Sequence, residues 1–139
     1  MAVRVDTVAP SKTAVVAGPM DLSRFMTCFD AVYAWLRDQS DVKQVGQNVA
    51  LYSAGRMEVG VEVDRSFDPV GEVSPSELPG GRAAHATHTT GYGDLHRTYH
   101  EVERWCAENG ESPVGVQWEV YADPDADDHV DVEIYFLLS

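Results

Sequence analysis

The chain has 139 residues, with ten basic against 23 acidic side chains and a formal charge of -13. That field disfavours nonspecific contact with nucleic-acid phosphates or anionic lipid, and no apolar run approaches the ~18 residues of a membrane span. A hydrophobic content of 44% argues for a packed core over disorder.

In chain order, residues 2–9 and 13–18 read as an opening strand region interrupted at Pro10-Ser11. Asp21 or Ser23 caps a first helix that runs to about Asp38, with Phe25, Phe29, Val32 and Leu36 as its apolar stripe. Residues 48–53 and 57–64 form an antiparallel pair turning at Ala54-Gly55-Arg56. The stretch 67–81 carries Pro69, Pro75 and Pro79 and connects two parts of the chain, with a short strand near 70–77. A strand at 82–89, a turn at Gly91-Tyr92-Gly93 and a helix from Asp94 to about Asn109-Gly110 follow. Strands at 114–122 and 130–138 close the chain around the acidic loop 123–128, the last a central strand because of its apolar content.

These elements repeat. Residues 83–106 replay 13–36 at a shift of 70, pairing Phe25 with Leu95, Phe29 with Tyr99, Val32 with Val102 and Trp35 with Trp105. A late Glu follows in each half, Glu62 and Glu133. Gly18…Asp21-Leu22 matches Gly91…Asp94-Leu95 at 73 instead, which predicts a first helix one turn longer than the second. Halves of about 1–66 and 82–138 suit one small domain spanning 1–139 better than two independent ones.

From Arg82 onward the chain resembles the gyrase-inhibitory-protein-like small-molecule-binding family. The likeness rests on Thr90-Gly91-Tyr92, the helix Leu95…Tyr99…Val102…Trp105, Tyr121-Ala122-Asp123-Pro124 and Val130-Asp131-Val132-Glu133-Ile134-Tyr135-Phe136-Leu137. Gly18-Pro19 and a helix ending at Trp35-Leu36 extend it into the first half. The resemblance implies an α+β fold: duplicated β-α-β-β halves related by a pseudo-twofold axis, an antiparallel sheet covered on one side by two helices, and a ligand cleft where the halves meet. It also implies lipophilic, often cationic ligands held against aromatic rings and a buried carboxylate, whose matching position here is Glu133. Members of this family form the effector-binding part of multidrug-responsive bacterial regulators. With no DNA-binding segment ahead of residue 1, this chain looks like the free-standing form, some relatives of which inhibit gyrase while others hydrolyse cyclopropane-containing toxins.

Alternation in 130–138 sets Val132, Ile134 and Phe136 on the face the helices should cover and Glu133 and Tyr135 on the other, taken as the cleft. Glu133 then offers a counter-ion for a cation, and rings add cation–π attraction. Tyr52, Trp118 and Tyr121 are the candidate rings, and the opposite parity of Trp118 and Tyr121 lets only one of them point inward. Glu62, read as the duplicate of Glu133, either joins it as a second cleft carboxylate or faces out. His88 enters the cleft in one strand register and His85 in the other.

Metal sites find no pattern: His96 and His100 lack the intervening Glu of a His-Glu-x-x-His helix. The loop from Asp123 lacks the Gly and Glu that a calcium loop needs at its sixth and twelfth positions. Cys28 and Cys106 sit in predicted helices and make no disulfide framework, which points to reduced, intracellular thiols. The expected function is a cytoplasmic, cofactor-free binding protein for amphipathic, cationic small molecules, acting in toxin sequestration or ligand sensing. Two alternatives compete: a hydrolase of reactive natural products in which Glu133 activates water and Tyr135 assists, and an acidic protein-interaction module with DNA gyrase as partner.

Overall fold

The computed structural model describes residues 2–139, the side chain of Tyr92 aside. Eight strands form one antiparallel sheet: β1 (Arg4–Val8), β2 (Ser11–Pro19), β3 (Gln44–Ser53), β4 (Arg56–Val63), β5 (Val73–Leu78), β6 (Gly81–His88), β7 (Pro113–Tyr121) and β8 (Val132–Leu138). Helix α1 (Phe25–Arg37) follows β2 and α2 (Leu95–Glu108) follows β6. The order across the sheet is β1-β6-β8-β7-β3-β4-β2-β5, which reads the same in both halves about an axis between β7 and β3. The edge strands are exchanged: β1 pairs with β6 of the second half, and β5 with β2 of the first.

Each helix is preceded by a 3-10 turn, Leu22–Arg24 or Tyr92–Asp94, so both helices begin at the shift of 70 and the first is not the longer. The shift of 73 aligned the glycines, which are free to drift in a loop, rather than the helix starts. Asp21 does cap, accepting the Ser23 N–H at 3.1 Å, whereas the Asp94 side chain makes no capping bond to α2.

Helix α1 packs over β2 and β4, and α2 over β6. Beneath them the core gathers Val59, Val61, Ala84, Ala86, Val132, Ile134 and Phe136 around Phe29, Val32 and Val102 of the helices. The Val/Ile/Phe face of β8 is thus the covered one, as alternation demands. Burying each Val, Ile and Phe among them contributes about 1.5–3 kcal/mol. The central strands β3 and β7 form the floor between the two helices.

The sheet is strongly bent. Six strand spacings of a flat sheet would hold β1 and β2 about 28 Å apart, yet Val8 and Ser11 are joined by links that span at most ~11 Å. The edges therefore curl toward the uncovered face, where the β1–β2 and β5–β6 links cross. A Cβ on Gly80 would lie 2.6 Å from Pro10 Cδ, so only glycine permits this crossing. Val49, Leu78, Ala83 and Trp118 form a second, smaller core there.

Candidate functional site

The two faces of the central strands carry different chemistry. On the covered face, Tyr121, Glu119 and Gln117 of β7 lie opposite Asn48, Ala50 and Tyr52 of β3. Glu119 is 4% exposed. Its Oε1 accepts the hydroxyls of Tyr121 and, at 3.4 Å, Tyr52, while its Oε2 accepts the hydroxyl of Tyr99 from α2. Burial, and after it the Glu119 charge, pushes all three phenols far above the usual tyrosine range, so they remain donors. Phe25 and Phe29 of α1 meet Tyr121 edge-on at 5.9 and 6.2 Å, and Tyr33 donates to Asn48 Oδ1. Both helices and both central strands thus contribute rings around one carboxylate. Among the described residues no Lys, Arg or His pairs with it.

On the uncovered face, β8 presents Glu133 and Tyr135, β6 His85 and Thr87, and β7 Trp118. Glu133 accepts the Thr87 hydroxyl at 2.7 Å and faces His85 Nε2 at 2.7 Å; His85 Nδ1 faces Asp6 of β1 at 2.6 Å. The imidazole makes both contacts as a donor only when both ring nitrogens carry hydrogen. This bridge pins the exchanged strand β1 to β6 and β8. Tyr135 stacks on His85 at 4.3 Å and on Trp118 at 5.2 Å, and its phenol is raised chiefly by burial and then by the Glu133 charge.

A family model of the GyrI-like small-molecule-binding domain matches residues 1–139. The chain belongs to that family. The GyrI-like chain has a TM-score of 0.86 with the C-terminal domain of EcmrR at 14% identity, covering 99% of this chain and 97% of that one. In a complex of EcmrR with DNA it spans 57% of the EcmrR chain. Against SAV2435 bound to tetraphenylphosphonium the TM-score is 0.71 at 14% identity, with 100% and 94% covered. A hydrolase from Listeria innocua gives 0.64 at 12% identity, with 99% and 91% covered. No curated protein matches at a significant level. At such identities these likenesses show a shared fold.

Several expected positions are corrected by the structure. Glu133 does face away from the helices, but its side chain is 31% exposed and engaged by His85 and Thr87. Among the described residues the carboxylate that is buried is Glu119. Trp118 and Tyr121 do lie on opposite faces, and it is Tyr121, with Tyr52, that joins Glu119 under the helices, on the face opposite Glu133. His88 also lies under the helices, bonded to Thr98 Oγ1 at 2.7 Å and facing the Gly91 carbonyl oxygen at 2.5 Å. Glu62 is not the duplicate of Glu133. Thr87 faces Glu133, whereas its counterpart at the shift of 70, Ala17, faces Glu58; Thr13 faces Glu62, and its counterpart Ala83 faces Leu137. The sequence repeat slips along β4 and β8 because the hairpin loops before them differ in length.

Other candidates resolve into local structure. His96 and His100 are exposed on α2. Asp125 accepts the N–H groups of Asp127 and His129, the bonding of an Asx turn. Cys28 and Cys106 are buried and unbridged, their thiols pushed up by burial. Among the described residues no helix is long and apolar enough to cross a membrane.

Proposed function

We propose that the chain binds amphipathic cations in the groove between α1 and α2, with Glu119 as counter-ion. One observation carries this reading: a carboxylate 4% exposed, held by phenols from β3, β7 and α2, that no cationic side chain neutralises among the described residues. Taking a charge out of water costs several kcal/mol unless hydrogen bonds and an opposite charge offset it. The phenols supply the first, and a ligand cation supplies the second. Phe25, Phe29, Tyr99 and Tyr121 offer ring faces and edges to the ligand's apolar groups, and a net charge of -13 favours its approach. Tyr121 is 7% exposed, so these rings must part to admit a ligand. The shared fold of SAV2435, solved with tetraphenylphosphonium, selects the probe.

The test titrates tetraphenylphosphonium and neutral triphenylphosphine oxide into wild-type and Glu119→Gln protein by calorimetry. Saturable binding of the cation, weakened about 5- to 150-fold in the variant (roughly 1–3 kcal/mol), is expected. Absence of binding to the wild type, or equal affinity of the two proteins, sinks this reading.

A second reading uses the same residues. Glu119 beside three phenolic donors has the makings of a general base with proton donors in reach, and the Listeria innocua relative is a hydrolase. Several product equivalents per protein from a cyclopropane-bearing electrophile, lost in Glu119→Gln, would establish turnover; a stoichiometric end point would leave a binder.

A further inference from the structure

Behind the sheet, on the face away from α1 and α2, lies a concavity of about 190 Å³ where the β1–β2 and β5–β6 links cross. Its walls include Val8, Leu78, Trp118 and Tyr135, and Glu62 and Ser11 supply its polar side. Tyr135 is stacked between His85 and Trp118, and Trp118 is 3% exposed, so the wall is fixed by stacking and turns ring edges to the concavity.

The Glu62 carboxylate is held in place before any ligand arrives. Strand β3 bulges between Gln44 and Asn48, directly opposite Glu62, and this turns the Gln47 N–H onto Oε1 at 3.1 Å. Ser11 Oγ donates to Oε2 at 2.7 Å. A Cβ on Gly46 would lie 2.7 Å from Oε1, so a larger residue there would push the carboxylate out of this position. Among the described residues no Lys, Arg or His pairs with Glu62, in contrast to Glu133, which has His85. The counterpart of Glu62 in the second half, opposite the bulge of β7, is Leu137, so this charge belongs to one half alone.

We propose that this concavity is a second ligand site, specific for a small single-ring ammonium compound, with Glu62 as its counter-ion and Trp118 and Tyr135 as its aromatic wall. Size sets the class. A cavity of about 150 Å³ accommodates benzene, so this concavity has room for one ring with a short aminoalkyl arm. The fixed carboxylate recognises a primary or secondary ammonium by charge-assisted hydrogen bonds, and the ring edges of the wall pack against the ligand's own ring. The site is independent of the Glu119 reading: Trp118 and Glu119 are neighbours on β7 but point to opposite faces of the sheet.

The test follows the Trp118 indole N–H resonance while benzylamine, in its ammonium form, or neutral benzyl alcohol is titrated into wild-type, Glu62→Gln, Ala9→Arg and Glu119→Gln proteins. Ala9 is exposed on the rim, so Ala9→Arg brings a competing cation to the site without disturbing the core. Benzylamine should shift the indole saturably in the wild type and in Glu119→Gln, with affinity at least about fivefold weaker in Glu62→Gln and Ala9→Arg. Benzyl alcohol should bind at least about fivefold more weakly than benzylamine. A wild type without a saturable shift, equal affinity for the alcohol, or undiminished binding in either open-face variant overturns the proposal. Loss in Glu119→Gln as well would also overturn it, because one shared site would then explain both ligands.

Discussion

Among the described residues Tyr99 is the one side chain that donates to Glu119 Oε2, while Tyr52 and Tyr121 share Oε1. Tyr99→Phe keeps the ring against Phe136, with centroids 5.5 Å apart, and deletes only the hydroxyl. A hydrogen bond to a charged group contributes about 1.5–3 kcal/mol and a neutral one about 1 kcal/mol. The substitution should therefore cost about 1.5–3 kcal/mol in the wild type and about 1 kcal/mol in Glu119→Gln, a coupling of roughly 0.5–2 kcal/mol. For a chain of this length that is a loss of roughly 5–15 °C in Tm in the first background and 3–5 °C in the second. Urea titrations and thermal melts of the four proteins, followed by far-ultraviolet circular dichroism, measure the cycle. Equal costs in the two backgrounds, or a cost below about 0.5 kcal/mol in the wild type, would refute a charged carboxylate held by these phenols.

Two further outcomes follow from the geometry. Gly60 packs so tightly that an added Cβ would lie 1.8 Å from the Ala14 carbonyl oxygen, so Gly60→Ala should cost more than about 4 kcal/mol and leave little folded protein, as judged by circular dichroism; a cooperative melt near the wild-type Tm would contradict this. The Asp6 carboxyl is held below its usual range chiefly by its hydrogen bond from His85, against the opposing effect of burial. A depressed folded-state pKa contributes stability that is complete above about pH 4 and lost as pH falls through the folded value. Wild-type Tm should therefore drop more steeply than that of Asp6→Asn between about pH 4 and pH 2, and parallel curves would exclude the bridge as its source.

The helices and the face of β8 they cover were legible because amphipathic spacing is a local property. Phe29, Val32 and Val102 repeat with the helical period, and Val132, Ile134 and Phe136 alternate. The pairing of Glu62 with Glu133 failed because register depends on bulges and loop lengths, and those act on partners distant in sequence. Glu119 was missed for a related reason. A single Glu between Trp118 and Val120 reads as the solvent side of a strand, yet both faces of β7 are covered, one by the helices and the other by the curled edges. Its parity with Tyr121, two residues on, was the available signal. The outward parity of Glu133 is legible in the alternation of β8, while the ring cluster around Glu119 lies on the other face of the sheet.

The exchange of edge strands has a consequence for synthesis. Arg4 of β1 must wait for His85 of β6, about eighty residues later, which at 5–20 residues per second takes some 4–16 s on the ribosome. The first strand to emerge is thus among the last to find its place, and through that interval its backbone edge is open to any passing strand. Arg4 and Asp6, charged side chains that flank Val5, guard a nascent segment against mispairing. The residue that later bonds His85 begins its service as a gatekeeper of the unfinished chain.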